Sequence, residues 1–257
     1  MSRTLLAALA AGFIASAASA QHAGDINLSV GQGAIQTSAF DGTTSTPSRV
    51  FGATFGDTGV ARFTSNPGFE ASPGTFAPGS RTGFTPRSGL ARFTGAGLES
   101  VTVERLEIKF LTLVSVIGVE PAAGFDLAVQ SNGGWHRHLN FRLFAQGGKL
   151  PSSGIYVVEM EVYSNDGVTL PSEPLWIVFN DGQSLAEHDA AIAWVADNLA
   201  SGGASCPADL DGNGDVGAPD LASLLAAWGT AGGDLGGDGS TDAADLAALL
   251  ASWGACP

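Results

Sequence analysis

The last fifty or so residues of the chain contain a segment that is repeated at an offset of 25 residues. The first copy runs from Asp209 to Gly229 and the second from Asp234 to Gly254. Each copy opens with a stretch rich in aspartate and glycine, and continues with leucines spaced three and four residues apart before a Trp-Gly pair. This spacing places apolar side chains on one face of a helix. The repeat therefore predicts two loop-helix units that pack their leucine faces together and end at a glycine.

The aspartate-rich stretches have the spacing of calcium-binding loops, with oxygen-bearing side chains at positions 1, 3, 5 and 12 and glycine at the sharp turn. The alternative is a solvated acidic tail, which the repeat and the helical spacing disfavour. Gly236 removes the position-3 ligand of the second loop, so we expect weaker binding there, unless Asp242 compensates through a water. The predicted calcium ligands are Asp209, Asp211, Asn213, Asp215 and Asp220 in the first loop, and Asp234, Asp238, Ser240 and Asp245 in the second.

The N-terminus has the pattern of a secretory signal peptide. Arg3 precedes the apolar run 5–14, and Ala18-Ser-Ala20 follows as a small-x-small cleavage pattern. The pattern predicts a signal peptide over residues 1–20. The apolar run is too short for a membrane span, so we expect a mature protein that is secreted, extracellular or at the cell surface. A net charge of −14 and the lack of Lys or Arg after Lys149 argue against nucleic-acid binding.

The two cysteines of the chain, Cys206 and Cys256, bracket the repeated segment. A single pair of cysteines in an exported chain predicts one disulfide. It would close a loop of about 50 residues and contribute roughly 4 kcal/mol in the chain-entropy model. A module this small needs such a covalent link to be stable.

The duplicated calcium loop followed by one helix resembles a dockerin domain. The flanking segments Cys206-Pro-Ala-Asp209 and Trp253-Gly-Ala-Cys256-Pro257 are similar to the GC-type variant at the C-termini of secreted planctomycete proteins. The resemblance covers about residues 203–257. It implies binding to a cohesin-like module or a cell-surface scaffold, and thereby an anchoring role. Gly236 departs from the pattern and puts full occupancy of the second site in doubt.

Residues 21–200 are numerous enough for one domain with its own core. In 42–97 single phenylalanines stand among Gly, Pro, Ser and Thr, which predicts short strands and ordered loops rather than disorder. Ser184 and Glu187 predict a capped helix whose apolar side carries Leu185, Ile192, Val195 and Leu199. Alternating or continuous apolar runs predict strands at 101–110, 111–119, 125–130, 139–144, 155–163 and 175–179. We therefore predict a mainly β chain: an antiparallel β-sandwich cargo domain, a linker at 201–205 and a small all-α dockerin-like module at 206–257.

Histidines suggest a second kind of site. His136 and His138 stand two apart at a strand and should point to the same side. His22 and Asp25, near the mature N-terminus, could join them, which would give a ligand set for zinc or another transition metal. The alternative is that the paired histidines only form hydrogen bonds within a loop or a strand pair. Spacing alone does not decide between the two.

The same segment carries a second resemblance, which covers about residues 135–180. It rests on His136-Arg-His138-Leu-Asn140-Phe141, Gly154-Ile-Tyr156 and Ser172-Glu-Pro174. These motifs are similar to the repeat of bacterial surface-anchored proteins described as choice-of-anchor M, although Ser153 and Glu173 replace its usual Pro and Asp. The resemblance implies surface display, hints at metal binding and implies no enzymatic activity.

The sequence thus predicts a secreted, calcium-binding, surface-anchored protein whose β-rich domain is a non-catalytic binding or structural unit. An extracellular hydrolase acting on polysaccharide remains an alternative, and it would need a buried pair of carboxylates in a cleft. No catalytic set is identifiable in the sequence, because Glu159, Glu161 and Glu173 occupy outward positions of predicted strands. Display without any ligand besides calcium is the third hypothesis.

Overall fold

The computed structural model describes residues 24–200, 207–211 and 215–255. The predictions for the signal peptide, His22, the linker, Cys206, Asn213 and Cys256 concern residues outside this part of the chain. Among the described helices, none is both long enough and apolar enough to cross a membrane.

The described part is mainly β, as predicted. Its strands are β1 (Ile26–Gly31), β2 (Ala34–Phe40), β3 (Ser45–Pro47), β4 (Val50–Thr54), β5 (Phe63–Thr64), β6 (Phe69–Ala71), β7 (Arg81–Pro86), β8 (Ala91–Phe93), β9 (Leu98–Ser100), β10 (Glu104–Phe110), β11 (Leu113–Ile117), β12 (Asp126–Ala128), β13 (Trp135–Arg137), β14 (Asn140–Ala145), β15 (Gly154–Ser164), β16 (Leu175–Asp181), β17 (Asp215–Val216) and β18 (Gly254–Ala255). Its α-helices are α1 (Leu185–Val195), α2 (Ala218–Ala226) and α3 (Ala243–Ala251).

Strands β1 to β16 form three sheets. The first has the order β13-β6-β1-β2-β3, the second β11-β10-β14-β5, and the third β12-β7-β15-β16-β4, with β8 and β9 added beside β15. Most neighbours are antiparallel, but β1 pairs with β6 and β4 with β16 in parallel. The first and third sheets are therefore mixed, and the purely antiparallel prediction is wrong for these two pairs. A parallel pair needs a crossover connection between its two strands. The local alternation of apolar and polar side chains does not reveal such a pairing.

Apolar side chains from all three sheets meet in one core. The first sheet contributes Ile26 and Phe69, the second Phe141, and the third Tyr156 and Phe179. The single phenylalanines of the glycine-rich half act as anchors, since five of the seven are buried and the other two half-buried: Phe51, Phe55, Phe69, Phe76 and Phe84, then Phe63 and Phe93. Burial of one such ring contributes roughly 1.5–3 kcal/mol, which is how short strands without long apolar runs are held.

Helix α1 covers the face of the third sheet that points away from this core. It begins at the predicted capping box, in which Ser184 and Glu187 exchange side-chain and backbone hydrogen bonds. The predicted apolar side is wrong at Leu185, which is 72% exposed. The buried His188 occupies part of the helix face that packs on the sheet. Its Nε2 atom lies 2.9 Å from the carbonyl oxygen of Val178. A hydrogen bond of this kind allows a polar side chain at an interior position.

Helices α2 and α3 follow the two aspartate-rich loops. Leu224 and Leu249 are fully buried between them, and a short antiparallel ladder joins β17 to β18. The outer leucine and tryptophan of each copy are about half exposed: Leu225, Trp228, Leu250 and Trp253. Only the inner half of each predicted apolar face is therefore used for packing within the described residues.

Candidate metal centre

Asp25, His136 and His138 come together at one end of three neighbouring strands of the first sheet, β1, β6 and β13. The parallel pairing sets Ile26 beside Phe69, and the antiparallel pairing sets Phe69 opposite Arg137. The residues just beyond these three, Asp25, Gly68 and His138, therefore line up across the sheet. His136 lies two residues before His138 and therefore on the same side of the strand. One ligand atom from each of Asp25, His136 and His138 lies within 4.8 Å of the others.

Both imidazoles present the same ring nitrogen to the carboxylate. The Oδ2 atom of Asp25 lies 3.8 Å from the Nε2 atom of His136 and 3.7 Å from that of His138. These separations are too long for hydrogen bonds. They fit ligand atoms that share one ion, because two metal–ligand bonds of about 2 Å span up to about 4 Å.

The other nitrogen of each imidazole also lies beside an oxygen atom. The Nδ1 atom of His136 is 3.0 Å from the Oε2 atom of Glu70, an ion-pair contact, and that of His138 is 3.0 Å from the carbonyl oxygen of Ser65, a hydrogen bond. An oxygen beside Nδ1 favours the tautomer with its proton there and its lone pair on Nε2. Metal-binding histidines have this second interaction as a rule, since it fixes both tautomer and ring orientation.

A glycine makes room for the cluster. The backbone N–H of Gly68 donates to Oδ1 of Asp25 at 3.0 Å, which leaves Oδ2 on the side of the imidazoles. A Cβ atom at position 68 would lie 2.6 Å from Cε1 of His138 and 2.8 Å from Oδ1 of Asp25. The carboxylates of Asp25 and Glu70 are buried, whereas the side chains of His136 and His138 are 26% and 31% exposed. The centre therefore combines buried carboxyl groups with imidazoles that solvent can reach.

Sequence reasoning found three of these residues and missed the rest. Asp25, His136 and His138 come together as predicted, and His22 lies outside the described residues. Gly68 and Glu70 carried no local signal, because Gly68 reaches the site through the parallel pairing of β1 with β6 and Glu70 through the antiparallel pairing of β6 with β13. Arg137, between the two histidines, turns away and donates to the backbone oxygens of His136 and Ala128. Burial lowers the pKa of its guanidinium.

The first aspartate-rich loop forms a second cluster, in which Asp209, Asp211 and Asp220 place one carboxylate oxygen each within 4.8 Å of the others. The carboxylate of Asp220 accepts the backbone N–H of Leu210 at 2.7 Å, of Asp211 at 3.0 Å and of Gly217 at 2.7 Å. Burial acts to raise the pKa of this carboxyl, but the backbone donors outweigh it and the pKa is lowered. The group is thus held ionised, as a calcium ligand must be.

The second loop has the same pattern of backbone hydrogen bonds to the carboxylate at loop position 12. The carboxylate of Asp245 accepts the backbone N–H of Leu235 at 2.8 Å, of Gly236 at 2.9 Å and of Asp242 at 2.7 Å. The bond from Asp242 is the main cause that lowers the pKa of this carboxyl. Asp234 accepts backbone N–H groups at loop positions 4, 5 and 6, and Ser240 donates its N–H to Asp238 at 3.0 Å. Asp242 caps α3 by accepting the N–H of Ala244 at 2.7 Å.

Glu159, Glu161 and Glu173, the glutamates considered from the sequence, are not gathered in one cleft of the described residues. Glu159 lines a cavity of about 500 Å³, and burial raises the pKa of its carboxyl. Glu161 is not among the residues that line this cavity and pairs with Arg87 at 3.4 Å. Glu173 is exposed and pairs with Arg49 at 3.4 Å. One carboxyl in a cavity does not meet the requirement for an acid and a second carboxylate that flank the bond to be cleaved.

No protein-family model matches the chain, and no curated protein matches it either.

Proposed function

We propose that this protein binds one transition-metal ion in its β-rich domain, through Asp25, His136 and His138, and carries that domain outside the cell on a calcium-dependent anchoring module. The convergence of the three side chains is the observation that carries the proposal. Both imidazoles point Nε2 at one carboxylate, while an oxygen atom lies 3.0 Å from each Nδ1. Two histidines with a merely structural role would not need this common orientation.

The donor set favours a borderline divalent ion. Two imidazole nitrogens and one carboxylate oxygen suit Zn²⁺, Cu²⁺, Ni²⁺ or Fe²⁺, whereas Ca²⁺ prefers oxygen alone and Cu⁺ prefers sulfur. Zn²⁺ is the ion we would test first, and His22 remains the predicted further ligand. We propose binding rather than catalysis as the role, since no two of Glu159, Glu161 and Glu173 line the same described cavity.

The C-terminal residues form the anchoring part of the proposal. The matching hydrogen-bond frames of Asp220 and Asp245 support two calcium loops in a dockerin-like module, with the second site weaker. The exposed pairs Leu225–Trp228 and Leu250–Trp253 offer apolar surface to a cohesin-like module or a surface scaffold. A disulfide between Cys206 and Cys256 and cleavage of a signal peptide at residues 1–20 complete this picture of an exported protein. For the domain at 21–200 we propose a β-sandwich, which agrees with the shared core of the three sheets.

Elemental analysis of the untagged mature chain, residues 21–257, tests the metal proposal, because a polyhistidine tag would itself bind the ion. The protein is loaded with Zn²⁺ and Ca²⁺ and then dialysed without chelator. We expect about one zinc per chain, and loss of that zinc in a His136→Ala, His138→Ala double variant that keeps its calcium. Glu173→Gln changes an exposed carboxylate far from the cluster in sequence and should keep both ions.

A native protein that retains no transition metal after loading would overturn the metal part of the proposal. Zinc that the double variant keeps at full stoichiometry would do the same, since the ion would then sit elsewhere. Absence of calcium from all three proteins would overturn the anchoring part.

A further inference from the structure

Glu70 is a carboxylate in an unusual place. It lies in β6 between Phe69 and Ala71, whose side chains enter the apolar core, so its own side chain points to the opposite face of the first sheet. A glutamate on an outer face is ordinarily solvated. Glu70 is only 1% exposed. Burial of an ionised carboxylate costs free energy unless donors or positive charge compensate it.

The register of the sheet sets this carboxylate against the metal centre. Glu70 stands directly opposite His136 across the β6–β13 pair, and its Oε2 atom lies 3.0 Å from Nδ1 of that histidine. The opposite nitrogen, Nε2, faces Asp25. The carboxylate of Glu70 and the proposed metal position therefore face opposite nitrogens of one imidazole, the arrangement in which a buried carboxylate would orient a ligand and raise its basicity.

We infer that Glu70 is a positioning residue of the metal centre, an inference that rests on the proposed metal-binding function. Its carboxylate holds His136 with the Nε2 lone pair directed at the ion. Together with Asp25 it also supplies two negative charges, which balance a divalent cation held by two neutral imidazoles. This balance favours a divalent over a monovalent ion in a buried setting.

His138 provides an internal comparison. Its Nδ1 atom is held by the backbone carbonyl of Ser65, a neutral acceptor that no substitution removes. A change at Glu70 should therefore affect the orientation and basicity of His136 alone. A purely structural role for Glu70, as one half of a cross-strand pair between β6 and β13, would alter stability and leave the affinity of the folded protein for metal unchanged.

The experiment compares the full mature chain with Glu70→Gln and Glu70→Ala, and with Glu161→Gln as a control on β15. The zinc affinity of each is measured by competition with a chromophoric chelator. Long-range ¹H–¹⁵N NMR spectra of the metal-free proteins report the tautomer of His136. We expect native protein and control to carry the proton on Nδ1. Glu70→Ala should lose that preference and bind zinc about 10–100-fold more weakly.

Glu70→Gln, nearly equal in size, keeps an oxygen acceptor and removes the charge, so its affinity should lie between those of native and Glu70→Ala. It also keeps the test available if Glu70→Ala does not fold. Equal zinc affinity in the native protein and in a folded Glu70 variant would overturn the inference and leave the proposed function intact. A native protein that binds no zinc would overturn the proposed function and, with it, the role of Glu70 as a positioning residue.

Discussion

Gly68 controls whether the three ligands can approach one another. Its backbone N–H orients Asp25, and the space that a side chain would occupy is taken by the ring of His138 and by the Asp25 carboxylate. Contacts of 2.6 and 2.8 Å are closer than carbon atoms tolerate, so any larger residue must displace a ligand. The requirement here is for space rather than for an unusual backbone conformation.

Gly68→Ala should therefore weaken zinc binding without removing a single ligand. We expect a loss of at least about tenfold in affinity, because a metal centre demands ligand positions within about 0.5 Å. Gly97→Ala is the matched control, since a Cβ atom there meets nothing within 4 Å. Chelator competition on both variants measures the difference. Equal affinities in the two variants would contradict this account of the site.

Asp166 allows a prediction of pH dependence away from the metal centre. Hydrogen bonds from Thr169, first of all from its backbone N–H, and from Val168 lower the pKa of this carboxyl to about 2. Since the folded pKa lies below the unfolded value of about 3.9, the carboxylate stabilises the fold above that value and the contribution is lost as pH falls through about 2. Solvent still screens this half-buried group, so Asp166→Asn should cost less than about 1 kcal/mol at pH 7.

Urea unfolding of native protein and Asp166→Asn at pH 7 and pH 3 measures this contribution. The difference in the free energy of unfolding should be smaller at pH 3. A difference that grows on acidification would show that the carboxylate is not the stabilising form.

At the scale of elements, the two aspartate-rich loops share one pattern of hydrogen bonds but differ in the number of side-chain oxygens that they offer to an ion. Asp220 and Asp245 tie the start of each loop to the start of its helix in the same way. The first loop has Asp211 at position 3, where the second has Gly236. A Cβ atom at Gly236 would lie 3.5 Å from Oδ1 of Asp245 and 3.9 Å from Oδ1 of Asp234, an ordinary contact directed at the ligand oxygens.

Gly236→Asp should raise the calcium affinity of the weaker site, because it restores a carboxylate at a position that has room for it. Calorimetric titration of the chelator-treated protein should give two calcium-binding events of unequal affinity in the native chain. In the variant the difference between the two affinities should be smaller. Gly236→Ala is the control, since it adds the Cβ atom without a ligand atom. It should leave the difference between the two affinities unchanged. Two equal events in the native chain would show that Gly236 does not limit the second site.

The elements also mark the limit of what the sequence predicts. Strands β15 and β16, the capped start of α1 and the helices α2 and α3 follow from local alternation, capping and periodicity, and all appear in the structure. The parallel partners β1–β6 and β4–β16 join segments far apart in the chain, so no local pattern reveals them. Gly68 reaches Asp25 through the first of these pairings, and Glu70 reaches His136 through the antiparallel β6–β13 pair, which is also long-range. The run at 111–119 is apolar, yet β11 lies at a sheet edge and exposes Val114 and Val116.

At the scale of the molecule, the two kinds of ion would act on different parts of the chain. The proposed metal centre joins the start of β1, the segment before β6 and the end of β13, which are more than 40 residues apart in sequence. Each proposed calcium loop, in contrast, spans 12 residues next to one helix. A transition metal should therefore stabilise the three-sheet domain as a whole, whereas calcium should stabilise the C-terminal module.

Thermal unfolding of the mature chain can separate the two effects. An ion that binds only the folded state stabilises it by about 2.7 kcal/mol at 100 times its dissociation constant, which corresponds to roughly 5–10 °C for a domain of this size. Zinc should raise the melting temperature of the three-sheet domain, and calcium should raise that of the C-terminal module. Scanning calorimetry of the full mature chain, with each ion added separately, measures both shifts. In the His136→Ala, His138→Ala variant the zinc shift should vanish and the calcium shift remain. A zinc shift that survives in this variant would mean that the ion stabilises the domain from another site, because the two imidazoles supply most of the proposed ligand set.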